Sequence, residues 1–550
     1  MVFAAALGCA LAPLAVALVR TLFFRSQFVP FADRATIELA TRAVGRHAVL
    51  LGPYSRFGFR QPGPSLFYLL ALPYRLTGSR ASSILVGAVL INAAAVVGIG
   101  FVARRRGGTV LAVVTLGITL LLMRTLTGTS LDDPWNPLVT LLPFALFVLL
   151  AWSVALGDGW MLPIALGVGS FVVQSHVSYA PATVGVLVVA FVGLVLAWRR
   201  RSPEEVRARP ARVLAVSAGV VGLVWLPPLI DQLARVGNLG GIWNFFTSHT
   251  GTLTWLQSVR VVALQWSWRP EWLFGARPLG LIGVNYVRGM DWPVALVLGA
   301  VVTVFAWRRR DREVLWLAAM VAVGFVGAII GAHGIVGLVY PYLVQWTWIL
   351  GATLGILVVW GGIRAIPPAA IGRVARVSAG SLVAVVFLVL VIAGIGSAVR
   401  AQVPDANAQQ RVRSVRDQVL SHVDVRGRTV RVDGGAIDFD LWSLVLQLQR
   451  RGAHVQVSAP TGFFVGDWLH SRAPRIDTTL VVGHAPPFPP GRLIAHEVEP
   501  YPARVRAQTR RDVERARRKY GPTSPITRAF EDRLRFITTT PAAEVSVVER

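Results

Sequence analysis

Lysine and cysteine are almost missing from this chain. Lys519 is the only lysine among 550 residues, and Cys9 is the only cysteine. A single cysteine excludes an intrachain disulfide and a cysteine-based metal cluster, and it leaves the redox compartment unmarked. Without lysine, arginine supplies nearly all the positive charge, a usage typical of a GC-rich genome. Acids are scarce as well: 28 Asp and Glu stand against 55 Lys and Arg, for a net charge of +27. Charged residues make up 15% of the chain and hydrophobic ones 54%, and the mean hydropathy is +0.57. That composition is too apolar for a soluble protein. So basic a chain would suggest nucleic acid. The basic residues lie between hydrophobic runs, however, where topology determinants belong, so no nucleic-acid partner is expected. Repeats of about 20–50 residues and low-complexity tracts are also missing.

What is present is a series of apolar runs, each about 20 residues long, enough to cross the hydrocarbon core of a bilayer. Expected spans are 1–19, 82–103, 109–125, 137–155, 160–175, 178–198, 212–230, 292–307, 314–331, 336–361 and 378–399. The opening run MVFAAALGCALAPLAVALVRTLF resembles a signal peptide but lacks a basic n-region and precedes many spans. It reads as a retained first helix. Four arginine clusters test the count: Arg104–Arg106; Arg199–Arg201 with Arg207, Arg209 and Arg212; Arg308–Arg310 with Arg312; and Arg364, Arg373 and Arg376. With about eleven spans and a cytoplasmic N-terminus, all four are cytoplasmic. Counting PSLFYLLALPYRLTG as a twelfth span would put every cluster outside. That segment is short, carries Pro73 and Arg75, and reads as an interfacial or re-entrant helix.

The expected fold is therefore an α-helical polytopic membrane protein of the plasma membrane. Its transmembrane catalytic module covers 1–400, with outside loops 20–81, 126–136 and 231–291. Residues 401–550 form a small extracytoplasmic α/β domain with a basic tail. TVRVDGG, HVQVSAP and TTLVVG read as strands, DLWSLVLQLQRRG as a helix between the first two, and RVRAQTRRDVERARRKYG as a basic helix near lipid headgroups.

The inside loops contain no phosphate loop, no GxGxxG after a strand and no DxD. The acids with chemically useful neighbours, Asp33, Glu38, Asp132 and Asp133, lie outside, where nucleotide donors are not available. An enzyme on that face needs an activated substrate carried by the membrane, such as a sugar on a polyprenyl phosphate. The order of a first helix, the acid-bearing FADRATIE, the turn and aromatic helix RQPGPSLFYLLALPYRLTG, and a span ending in ARRRGG resembles the GT-C membrane glycosyltransferases. Protein mannosyltransferases and aminoarabinose transferases belong to that group. The resemblance covers the first third of the chain and the multispan layout. It implies inverting transfer from a lipid-phosphate sugar. It also implies an acid in the first outside loop as base or acceptor-orienting group, matched best by Asp33, and a second acid in the next outside loop, matched by Asp132 or Asp133. The family often has His-Pro-Pro at the turn; this chain has Gln61-Pro62-Gly63-Pro64.

The residues suit that chemistry independently of the resemblance. A carboxylate takes the acceptor hydroxyl proton, and arginine forks match the leaving phosphate. Arg56, Arg60 and Arg288 are the candidates for the phosphate. Tyr54, Trp135 and Tyr179 are candidates for stacking on a sugar, with Gln61, Asn136, Gln174 and His176 as polar substrate contacts. Arg34 or Arg56 would keep Asp33 ionised. Each has a plainer role beside this one. Asp33 can cap the helix that follows it, Glu38 can pair with Arg42 at i+4, and Asn136 can cap a helix that Pro137 opens. Gln174 and His176 can join helices, and the tryptophans of 231–291 form an interfacial belt. The expected partners are a polyprenyl-phosphate sugar donor, the bilayer, and an envelope glycan, lipid or protein acceptor. The sequence specifies no cofactor and leaves a divalent cation open, since acid pairs can hold Mg²⁺ or Mn²⁺. The competing classes are a transporter or flippase for a lipid-linked saccharide, disfavoured by nearly clean mid-span positions, and a non-catalytic envelope-assembly scaffold.

Overall fold

A computed structural model describes the chain except for residues 26, 127–129, 201–208, 250, 277–290, 338, 368–372, 404, 471–474, 485–489, 501–502, 524–526, 529, 533, 536–541 and 550. It divides into two compact units. The first is built from described residues of Met1–Ser26, Val49–Leu279 and Gly283–Gln402, the second from those of Gln27–Ala48 and Val403–Arg550.

The first unit is helical. Among the described residues, eight of its helices are long and apolar enough to cross a membrane: Val2–Phe23, Ser83–Leu126, Asn136–Ala155, Val177–Trp198, Pro210–Ala234, Arg312–His333, Thr347–Ala365 and Gly380–Arg400. Met161–Ser175 and Val294–Arg308 are shorter and equally apolar in character. Ser83–Leu126 holds 44 residues, about 66 Å of helix against a hydrocarbon core of about 30 Å. It is two segments joined at a break: Gly107 has φ −128° and ψ 23°, and Gly108 has φ 62°, a left-handed conformation that glycine adopts without steric cost. Arg105 and Arg106 stand at the break, each 2.6 Å from Asp158. With Ser83–Leu126 taken as two legs, each of the eleven expected spans falls on a helix. The expected span 336–361 begins late, because Pro341 opens a separate turn, Pro341–Val344, before the helix Thr347–Ala365. The aromatic segment at the proline turn is the helix Ser65–Leu76, of 12 residues, about 18 Å long and too short to span.

Small residues bring the helices together, as is usual where no solvent drives apolar burial. A Cβ on Gly327 would lie 2.3 Å from the Ala182 Cα, and one on Gly193 would lie 2.6 Å from the Ala155 carbonyl oxygen. Neither glycine can carry a side chain without the paired backbones separating.

The second unit contains a five-stranded sheet. Strands β1 (Thr429–Asp433), β2 (His454–Val457) and β3 (Thr478–Gly483) are the three expected from alternation, and β4 (Arg492–Pro500) and β5 (Ala542–Glu549) join them. The order is β2-β1-β3-β5-β4. β1 pairs in parallel with β2 and β3; β5 runs antiparallel to β3 and to β4. The helix Phe439–Arg450 connects β1 to β2, as a parallel pair requires. It starts where the Asp438 carboxylate accepts from the Leu441 amide at 2.9 Å, a side-chain cap. Val430, Val432, Leu480 and Val482 are buried with Trp442, Leu444 and Leu448 of that helix. The basic helix of the tail spans Ala503–Tyr520. The helix Asp33–Ala43 also belongs to this unit.

Candidate functional site

In the second unit, Asp33 is the first residue of its helix and not the cap. The cap position is Ala32, at φ 52° and ψ −123°, a strained backbone for a residue with a Cβ. Strain of this kind persists only where its surroundings enforce it. The Ala32 amide donates to Ser443 Oγ at 3.3 Å, and the Val29 amide donates to Gln409 Oε1 at 3.0 Å. Asp33 thus stands in the first turn of its helix, at the positive end of the helix dipole. Arg34 reaches Asp405 at 2.7 Å. Glu38, one turn further on, is fully buried and pairs with Arg450.

In the first unit, Asp132 and Asp133 are both buried. Arg25 NH1 lies 2.7 Å from Asp132 Oδ2, with both side chains almost inaccessible. Burial pushes Asp132 up to about 7 against the pull of Arg25, and Asp133 adds to the rise. Asp133 Oδ1 accepts from the Trp135 amide at 3.0 Å, which turns the chain into the next helix. That helix begins at Asn136 with Trp135 at the cap. Asn136 is therefore not the cap; its side-chain amide donates to the Ser175 carbonyl at 2.9 Å.

Asn136 leads into a polar knot where several expected substrate residues meet. Gln61 Oε1 accepts from the Val177 amide at 2.8 Å. Gln174 donates to the Val224 carbonyl at 2.9 Å and accepts from Ser65 Oγ. His176 Nδ1 is 2.7 Å from Ser178 Oγ, and the Tyr179 hydroxyl is 3.0 Å from Thr140 Oγ1. A Cβ on Gly63 would lie 2.3 Å from Gln174 Oε1, so the Gln-Pro-Gly-Pro turn needs its glycine for this approach. These contacts tie the turn to the end of Met161–Ser175. Tyr54 faces Arg60 across a short hairpin, the Arg60 amide donates to Asn238 Oδ1 and its carbonyl accepts from Asn238 Nδ2, both at 2.9 Å, and Arg56 lies over Phe57 and Tyr340 at 4.8 and 5.2 Å. The Trp135 ring is 4.7 Å from that of Tyr342. Arg288 lies outside the described residues.

Sequence reasoning missed a cavity of about 800 Å³ in the first unit. It opens where the second leg of Ser83–Leu126 and the last apolar helix end. Arg124, Thr125, Phe274, Ser397, Arg400 and Gln402 line it. Ala401, also in the lining, accepts from Arg20 and from Arg25, the latter at 3.4 Å. Arg124 and Arg400 thus line the cavity, while Arg20 and Arg25, bound to its Ala401 carbonyl, both act on the buried carboxylate of Asp132. The available signal was position: Arg20, Arg25, Arg124 and Arg400 stand at the opposite span ends from the four arginine clusters, where the positive-inside pattern does not call for them.

Among the described residues, one group of metal-ligating side chains comes together: Asp438, Asp440 and His484 of the second unit. Its oxygens are engaged. Asp438 caps a helix and bonds His484 Nε2 at 2.8 Å, and Asp440 accepts from both Nε and NH2 of Arg411 at 3.0 and 3.2 Å.

A bundle of apolar helical segments and a small α/β unit is the architecture of a multi-pass membrane protein. The structure is similar to that of ArnT from Cupriavidus metallidurans bound to undecaprenyl phosphate, with a TM-score of 0.50 and 14% identity over 88% of this chain and 95% of ArnT. ArnT from the same organism in the apo state gives a TM-score of 0.46 at 14% identity, covering 87% and 93%. No protein-family model matches the sequence, and none of the curated proteins compared with it does.

Proposed function

We propose that the protein is an inverting glycosyltransferase. It takes a sugar from a polyprenyl-phosphate donor and passes it to an envelope glycan, lipid or protein acceptor on the extracytoplasmic face of the plasma membrane. The observation that carries this reading is the arginine-lined cavity where two apolar helices end. A polyprenyl chain is accommodated along apolar helix surfaces, and its phosphate needs charge-assisted donors at their ends. Arg124 and Arg400 supply those donors. The similar ArnT structure contains undecaprenyl phosphate, a lipid of the same chemical class. Buried Arg25 Nε and Asp132 Oδ1 have no hydrogen-bond partner among the described residues, and orphaned groups of this kind favour a polar ligand or water beside them.

In this reading Asp33 is the general base. Its carboxylate takes the proton from the acceptor hydroxyl as that oxygen bonds to the anomeric carbon. The bond from that carbon to the phosphate oxygen breaks on the opposite face, and the lipid phosphate leaves with its charge offset by arginine. One displacement inverts the anomeric centre. Asp132 with Arg25 holds the first outside segment in place, and Glu38 with Arg450 anchors the helix that bears Asp33. Arg25 supplies the cation beside Asp132, and none of these steps calls on a divalent ion.

The test is turnover of a panel of polyprenyl-phosphate sugars by the purified protein in proteoliposomes. Release of free polyprenyl phosphate with a glycosylated product supports the reading. A protein that translocates the lipid-linked sugar without cleaving it, at the same rate with Asp33→Asn, is a transporter.

A further inference from the structure

The second unit carries a groove of about 400 Å³ that the proposed transfer does not use. It runs between the last turn of Asp33–Ala43, the edge strand β2 and the segment at Asp467–Leu469. Arg42, Arg46, His47, His454, His470 and Trp468 line it, and among the described residues no carboxylate does. Asp467, next to Trp468, is not part of the lining. The Trp468 indole is held in position from two sides. It stacks on His47 with ring centres 5.9 Å apart and an interplanar angle of 12°. On another side it covers Gly466, where a Cβ would lie 2.3 Å from the ring. Gly466 itself has φ 134°, which a residue with a side chain rarely adopts.

We propose that this groove binds an acidic saccharide, a sugar segment bearing a carboxylate or phosphodiester, as part of the acceptor. The assignment as acceptor rests on the transferase reading; the chemistry of the groove does not. A supported indole offers a flat apolar face to the C–H face of a sugar ring. Arginine forks and imidazoles around it donate to hydroxyls and to an anion, and the arginine geometry matches a carboxylate or phosphate. With Arg42 and Arg46 in the lining and no acid among its described residues, an acidic sugar is favoured over a neutral one. The volume lies within the range of roughly 300–1,000 Å³ found for small-ligand sites. A single aromatic platform distinguishes the groove from single-strand nucleic-acid tracks, which stack successive bases on several rings.

The experiment uses the full chain in nanodiscs and calorimetric titration with an alternating glucuronate–N-acetylglucosamine tetrasaccharide. Its carboxyl-reduced neutral counterpart, inorganic phosphate and an oligothymidylate are titrated alongside. The acidic tetrasaccharide is expected to bind at least about tenfold more tightly than the neutral one. Trp468→Ala should weaken both by a similar factor, and the exposed Arg46→Gln should remove only the acidic preference. Equal affinity for the two sugars overturns the proposal. So does binding unchanged in both variants, or phosphate or oligothymidylate binding as tightly as the saccharide. Donor hydrolysis is measured on the same samples. If the native protein hydrolyses no donor yet binds the acidic sugar as described, the transferase reading falls and the groove stands.

Discussion

Replacing Arg25 with methionine keeps the length of the side chain and removes the cation from a buried ion pair whose members are 3% and 0% exposed. Asp132 is pushed up to about 7 from an ordinary value of 3.8. A carboxyl whose folded pKa lies above its unfolded one binds more protons folded than unfolded in the interval between them. Its contribution to stability is therefore full below about pH 4 and is lost as pH rises to 7, at up to about 1.4 kcal/mol per pH unit. Above pH 7 both states are ionised and the loss levels off, because Arg25 at 2.7 Å holds the anion. Without Arg25, burial and Asp133 are opposed only by Arg20 and a backbone hydrogen bond, so the plateau moves to higher pH. Between pH 7 and 9 the variant should lose up to about 2.7 kcal/mol more than the native protein, two pH units at that slope. This comes close to the lower end of the roughly 3–5 kcal/mol typical of breaking a buried pair. The assay is the melting temperature in detergent, followed by tryptophan fluorescence at pH 6 and pH 9. The gap between native protein and Arg25→Met should widen at pH 9, and Asp132→Asn should show no such widening. A gap of equal size at both pH values would refute the claim that Arg25 holds the ionised Asp132.

Arg124→Gln and Arg400→Gln should each raise the KM for a polyprenyl-phosphate sugar about tenfold or more, the loss of a charge-assisted hydrogen bond. Lysine at either position should restore only part of the affinity, because it lacks the planar fork. Gly327→Val forces Arg312–His333 away from the Ala182 backbone, 2.3 Å from the new Cβ; overpacking of about 1–3 kcal/mol or more should lower the melting temperature, and an unchanged melt would contradict the close approach. EDTA should leave donor turnover unchanged, since Arg25 supplies the cation beside Asp132; a turnover lost to chelation and restored by Mg²⁺ or Mn²⁺ would show that a metal takes part.

The membrane architecture was legible because apolar length is a property of single segments. Even the break at Gly107–Gly108 shows in the sequence as ARRRGG. Strands β1, β2 and β3 were legible from alternation, whereas β4 carries His496, Glu497 and Glu499 within RLIAHEVEP and loses that signal. The setting of Asp33 was only half visible. Its identity stands out, but the positive φ of Ala32, which removes it from the cap position, leaves no mark in composition or spacing. Asn136 looked like a cap because Pro137 follows it; the Ser175 carbonyl it serves instead is 39 residues away. Arg25 and Asp132 are further apart still, and pairing across that distance is a property of helix packing. Arg124 and Arg400 were passed over because arginines at span ends are common, and their convergence on one cavity depends on tertiary structure.

The central claim is that Asp33 does chemistry on a lipid-borne sugar. The most direct measurement compares Asp33→Asn with the native protein for binding of the polyprenyl-phosphate sugar that supports turnover and for the rate of its cleavage. The account predicts unchanged donor affinity and a rate lower by about 10²–10⁴-fold, the usual contribution of a positioned general base. Cleavage by Asp33→Asn at the native rate would contradict it.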